Sequence, residues 1–126
     1  GEVNQLSKEL KQVLKKTTSF TKKNNKIIVN LAINYGSKIE IIKAIKKTKK
    51  KLTIKKIKNN LYTKKMSDPD ILIRTGGHHR LSNFMLWQLA YTELFFVKKL
   101  WPDFNGNDLI KIISKYKKIK RNFGGI

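Results

Sequence analysis

Ten consecutive residues concentrate the reactive chemistry of this 126-residue chain: Arg74-Thr75-Gly76-Gly77-His78-His79-Arg80-Leu81-Ser82-Asn83. An apolar run ends in Arg74, a glycine pair follows, and Arg80 and Ser82 come six and eight residues after Arg74. Two guanidinium forks and a hydroxyl are a donor set that grips a phosphate or diphosphate. The forks bond the oxygens in pairs, and the N–H groups of a helix start add to them. Only three arginines occur among the 29 basic residues, and two of them lie in this stretch. Where a point charge suffices the chain uses lysine, so the pair of arginines argues for fork geometry. An ordinary strand–turn–helix with solvent-exposed arginines has the same spacing and stays open at this level. The stretch lacks the Gly-Lys-Ser/Thr ending of a P-loop and is not a GxGxxG fingerprint.

Other candidates surround it. His78 and His79 are adjacent, so on a regular element they point apart, and no third ligand stands at a zinc spacing. Either suits better as a hydrogen-bond donor to an anion or as a proton shuttle. Glu93 sits among Leu89, Ala90, Tyr91, Leu94 and Phe95. A carboxylate in such company is either paired with an arginine or held for a hard cation such as Mg²⁺. Phe84, Trp87, Tyr91, Phe95, Phe96 and Trp101 form an aromatic set suited to a core or to a subunit contact.

The flanking pattern supplies elements to position these groups. Leu6, Leu10, Val13 and Leu14 predict a helix over about residues 5–20. The run KIIVNLAIN, residues 26–34, predicts a buried strand. Ser37 as N-cap with Glu40 three residues on fits a capping box, opening a second helix through Ile41, Ile42, Ala44, Ile45 and Thr48. Ile54, Ile57 and Leu61 suggest a third, short helix. Pro69 then precedes a strand over 70–75; Ser82 is placed to cap a helix over 83–90; residues 93–97 form another strand. After a Trp101-Pro102-Asp103 turn, Leu109, Ile112, Ile113, Tyr116 and Ile119 mark a terminal helix stopped by Gly124-Gly125. Alternation of helices and strands predicts an α/β layer fold with a parallel sheet, in which ligands bind beyond the carboxyl ends of the strands. About three strands are visible, which is few for a complete sheet of this kind.

Composition narrows the field. The net charge of +21 first suggests a nucleic-acid or anionic-membrane binder. Yet the 26 Lys, 16 Ile and 11 Asn are all encoded by A/T-rich codons, so genome bias alone produces much of this excess. The charge is also uneven: +16 over residues 1–66, −1 over 67–109 and +6 over 110–126. The candidate site thus lies in the near-neutral segment, and nucleic acid is not the expected partner. Without cysteine there is no disulfide, thiol nucleophile or Cys-ligated metal. No apolar run approaches the roughly 18 residues of a membrane span. A start at Gly1, with neither Met nor a signal sequence, fits a fragment or processed chain.

DPDILIRTGGHHRLSNFMLWQLAYTELFF, followed by LWPDF and a terminal NFGG, resembles the C-terminal signature of the cis-prenyltransferases, specifically the undecaprenyl diphosphate synthases. NLAINYGSKIEI resembles the same family's A-x-N-Y-G-G-R-x-E-I segment. The likeness spans nearly the whole chain. It implies a three-layer, Rossmann-like parallel sheet flanked by helices, with residues 1–126 forming the C-terminal portion of one catalytic domain. It also implies condensation of isopentenyl diphosphate with an allylic diphosphate such as farnesyl diphosphate, giving Z-polyprenyl diphosphates with Mg²⁺ as cofactor. Carried over by motif, Arg74, Arg80 and Ser82 bind the diphosphate of isopentenyl diphosphate. His79 is the loop histidine, Glu93 the acidic residue linked to Mg²⁺, and Gly124-Gly125 belong to a tail that crosses to the partner in a homodimer. A cytoplasmic enzyme touching the inner membrane face to release product is the expected setting.

The departures are specific. His78 stands where the family commonly has Glu or another polar residue, Ser37-Lys38 replaces Gly-Arg, and Asn122 replaces the Arg before Phe-Gly-Gly. No Asp-Gly-Asn-Gly-Arg-Trp motif occurs. The resemblance therefore implies about half of the enzyme, with the catalytic Asp expected upstream and no catalysis expected from these residues alone. The alternatives are a non-catalytic partner subunit, against which Arg74, Arg80 and Glu93 argue, and a basic nucleic-acid or membrane-binding module.

Overall fold

In the computed structural model, which describes residues 1–48 and 51–122, the helices begin where polar caps satisfy their first N–H groups. Helix α1 (Lys8–Thr21) opens at Ser7, whose hydroxyl accepts from the Leu10 N–H at 3.3 Å. Helix α2 (Ser37–Lys47) follows, then α3 (Ile54–Lys58), which is capped by Thr53. Strands β1 (Ile71–Arg74) and β2 (Glu93–Phe96) come next, and α4 (Gly106–Tyr116) closes the order. At α4 the capping box is complete. Asn105 Oδ1 accepts from Asn107 N and Asp108 N, and Asp108 Oδ2 accepts from Asn105 N. Lys99 also reaches Asp108 at 2.9 Å and, with that Asn105 N–H, holds the Asp108 carboxyl below its ordinary pKa.

The two strands pair in parallel, with Ile71 opposite Glu93 and Arg74 opposite Phe96. Loop 75–92 joins them and returns to the sheet: Gly76 N donates to Lys99 O at 2.7 Å and Gly77 N to Val97 O at 2.9 Å. Both glycines have left-handed backbone, with φ of +85° and +72°, which side chains with a Cβ rarely adopt. Ala44, Leu61 and Leu89 are buried, as are the polar Ser37, Glu40 and Gln88. The apolar core is therefore small and wraps a polar centre.

Three expectations are corrected. Residues 26–34 form no strand; Ile28 is 80% exposed, and no described strand pairs with the run. A β-rich apolar run needs a ladder partner to become a strand, and the described residues offer it none. Residues 83–90 are a series of turns, because Ser82, Asn83 and Met85 have φ of +47°, +63° and +46°, incompatible with a helix start at Ser82. The capping box at α2 is not formed either. Gly36 is the N-cap, Ser37 lies inside the helix, and Glu40 turns into the protein.

Candidate functional site

Arg74 is the last residue of β1, so its side chain leaves the sheet at the carboxyl end of the strands. Its Nη1 donates to the Arg80 carbonyl and, at 3.1 Å, to the Ser82 hydroxyl. Loop 75–82 thus folds back on the strand that launches it. Arg80 and Ser82 are exposed. Both Arg74 bonds use Nη1, and among the described residues the Nη2 and Nε donors meet no acceptor. His79 stacks on Phe96, the register partner of Arg74, with centroids 4.8 Å apart. Arg74, His79, Arg80 and Ser82 are therefore gathered at one end of the sheet. The expected helix N-terminus is absent from this site, and the Gly76 and Gly77 N–H groups are spent on Lys99 and Val97. Cationic forks and a hydroxyl remain as the anion-gripping groups.

Glu93 lies elsewhere. It is level with Ile71, three residues from Arg74 along the parallel pair, or about 10 Å at roughly 3.3 Å per residue. Its carboxylate faces Arg121 Nε at 4.0 Å. Arg121 ties this end of the sheet to the segment after α4, donating to Asp70 Oδ1 at 2.7 Å, the Tyr116 hydroxyl at 2.7 Å and Tyr91 O at 2.9 Å. The bond to Asp70 holds the Arg121 pKa above its ordinary value. A shallow hollow of about 260 Å³ lies between Tyr91, Glu93 and Lys120–Asn122. No described group of three His, Asp or Glu gathers here or elsewhere. The described residues therefore do not by themselves fit a Mg²⁺ site: Glu93 is a single carboxylate, and it faces Arg121. Gly124 and Gly125 lie outside the described residues.

Sequence reasoning missed the polar scaffold under the loop. Glu40 is 1% exposed and accepts from Tyr62 N at 2.7 Å, from the Tyr35 hydroxyl at 2.5 Å, and from Gln88 Nε2 at 3.2 Å. Burial and then the bond to Glu40 push the Tyr35 phenol up to about 12. Tyr62, whose hydroxyl bonds Glu2, is raised to about 12 chiefly by that bond. The signal available in the sequence was Glu40 itself, a carboxylate between isoleucines, which fitted a capping role equally well.

Parallel strands with an arginine at their carboxyl end and a loop folded back onto it define an α/β protein, and solved structures share that frame. A probable undecaprenyl diphosphate synthase from Campylobacter jejuni superposes with a TM-score of 0.90 at 32% identity, over 99% of this chain and 61% of that one. Lavandulyl diphosphate synthase from Lavandula x intermedia, solved with dimethylallyl diphosphate, gives 0.92 at 31% identity, over 99% and 58%. Residues 1–124 match the family model for undecaprenyl diphosphate synthase. Isoprenyl transferases of Oceanobacillus iheyensis and Rickettsia felis are 43% and 45% identical over 100% and 98% of the chain. The chain belongs to the undecaprenyl diphosphate synthase family of prenyltransferases, and its fold is theirs, a parallel sheet flanked by helices. It spans about half the length of those curated relatives, 54% of each.

Proposed function

We propose that these residues form the diphosphate-gripping C-terminal portion of a single cis-prenyltransferase domain. Its reaction is the condensation of isopentenyl diphosphate with an allylic diphosphate such as farnesyl diphosphate. The allylic C–O bond breaks, the diphosphate leaves with the electron pair, a C–C bond forms to the isopentenyl unit, and that unit loses a proton. The product is a Z-polyprenyl, undecaprenyl-type diphosphate for a cell-wall lipid carrier. The observation that carries this reading is the Arg74 guanidinium held on the Ser82 hydroxyl at 3.1 Å beside Arg80, at the carboxyl end of β1. Two forks and a hydroxyl neutralise and orient a diphosphate that stays bound while chemistry occurs at the far end of the isopentenyl unit.

In the complete enzyme Mg²⁺ would supply Lewis-acid assistance at the allylic diphosphate; Glu93 would offer one carboxylate to hold it, and the remaining ligands would come from the other half of the domain. The working form is a homodimer, with Gly124-Gly125 reaching the partner's site and exposed aromatics such as Trp101, 75% exposed, at the contact. The cytoplasm, with peripheral contact at the inner membrane face, is its location. No described helix is long and apolar enough to cross a membrane.

Labelled isopentenyl diphosphate, farnesyl diphosphate and Mg²⁺ test the assignment. The 126 residues alone should give no elongation, and the same residues joined to an N-terminal half carrying the Asp-Gly-Asn-Gly-Arg-Trp motif should elongate. Robust elongation by the 126 residues alone sinks the expectation that they are inactive by themselves, and elongation by the joined protein that survives Arg74→Ala unchanged sinks the assignment.

A further inference from the structure

The turn carrying Ser82 runs against its own backbone preference. Ser82, Asn83 and Met85 all have left-handed φ, a region in which Asn is tolerated and Ser and Met are not at ease. Such a turn persists only when its surroundings hold it. Here the holding comes from the start of α2, whose own N-cap, Gly36, has no side chain to offer. Asn83 O accepts from Ser37 N at 2.8 Å, and Asn83 Oδ1 accepts from Lys38 N at 2.9 Å. An asparagine 45 residues away in sequence thus caps the helix. The approach is close: a Cβ on Gly36 would come within 2.9 Å of Asn83 Nδ2. A third tie returns the other way, from Leu86 N to the Ser37 hydroxyl at 2.9 Å. Ser37 is one of the departures from the family pattern, and the glycine usual there has no hydroxyl to accept this bond.

We propose that Asn83 is a positioning residue for the diphosphate loop, and that Ser37 reinforces it. By capping α2, Asn83 fixes the left-handed turn that holds the Ser82 hydroxyl on Arg74 Nη1, which also binds the Arg80 carbonyl. Asn83 is itself exposed, so it adds little to the core, and its loss moves the loop more than it weakens the fold. This rests on the diphosphate reading of the loop given above.

Titration calorimetry of isopentenyl diphosphate into the chain tests it, with folding followed by circular dichroism. Asn83→Ala should weaken binding about fivefold, the equivalent of a lost helix cap. Asn83→Asp keeps the acceptor and tolerates the turn, and should stay within about twofold of the original. Asn105→Ala removes a similar cap from α4; it should lower the melting temperature without weakening binding. Ser37→Gly removes the Leu86 tie together with the Ser37 side-chain bond to Tyr35, leaves the Asn83 cap in place, should weaken binding about twofold, and serves if Asn83→Ala does not fold. Unchanged binding in Asn83→Ala, or equal weakening in Asn105→Ala, overturns the proposal while loss of binding in Arg74→Ala keeps the diphosphate reading. If the original chain binds no more tightly than Arg74→Ala, the diphosphate reading itself falls and this proposal falls with it.

Discussion

Glu40→Ala should be the most destabilising single substitution in α2. Glu40 is 1% exposed and, among the described residues, no lysine or arginine pairs with it; its carboxyl oxygens accept from Tyr62 N, the Tyr35 hydroxyl and Gln88 Nε2. Truncation strands three donors. Each unsatisfied buried group costs about 1–3 kcal/mol, and part returns if water enters the space. The expected loss is therefore about 3–5 kcal/mol, a large fraction of the roughly 5–15 kcal/mol that holds a domain together. Glu40→Gln keeps one carbonyl acceptor and turns an amide toward a donor, so about 1–2 kcal/mol is expected. Urea unfolding followed by circular dichroism reads both as a fall in midpoint at constant slope. A loss below about 1 kcal/mol for Glu40→Ala would show that the network is not satisfied as described and would refute the reasoning.

High pH should loosen the same region. Tyr35 and Tyr62 hold their protons up to about 12 in the fold, against 10.0 for a free phenol, so their contribution is complete below pH 10 and disappears as the pH rises toward 12. Phenolate absorbance during alkaline titration checks this, and Glu40→Gln should bring the Tyr35 transition down. Arg74→Lys keeps the charge but loses the fork, and binding of inorganic diphosphate should weaken about tenfold or more by calorimetry. Asn122→Arg, which restores the family residue, should raise the affinity of the joined, full-length enzyme for diphosphate severalfold, roughly the gain from one charge-assisted bond. Arg121 cannot substitute for it, being engaged with Asp70, Tyr116 and Tyr91.

What was legible in the sequence divides along a physical line. Helices α1, α2 and α4 and both strands follow from local periodicity and capping residues, and each falls within a few residues of its expected place. The candidate loop stood out because its chemistry is written in residue types, and the structure folds it back so that Arg74 Nη1 meets the Arg80 carbonyl and the Ser82 hydroxyl. Failures came where the outcome depends on a distant partner. KIIVNLAIN has the composition of a strand, but a strand needs a neighbour, and none is paired with it among the described residues. Ser82-Asn83 looks like a helix start, yet Asn83 caps another helix, a bond across 45 residues that no local pattern carries. Ser37 and Glu40 have capping-box spacing, but burial diverts both side chains to other partners.

The three arginines are used differently from the lysines that dominate the charge of +21. Lysines supply 26 of the 29 basic residues, and a lysine ion pair such as Lys58 with Asp68 at 2.6 Å is exposed and worth little. Arginine appears where one side chain must meet several acceptors at fixed angles. Arg121 joins Asp70, Tyr116 and Tyr91 and so fastens the segment after α4 to the start of both strands. Arg74 joins the Arg80 carbonyl and Ser82 and so shapes the loop at the other end. Arg80 is the exception: it is exposed, and among the described residues its guanidinium has no acceptor. Under the diphosphate reading proposed above, the acceptor that Arg80 lacks in the chain is one the ligand supplies. A diphosphate, with several oxygens on two phosphorus atoms, supplies the number and geometry that the solvated lysines do not require.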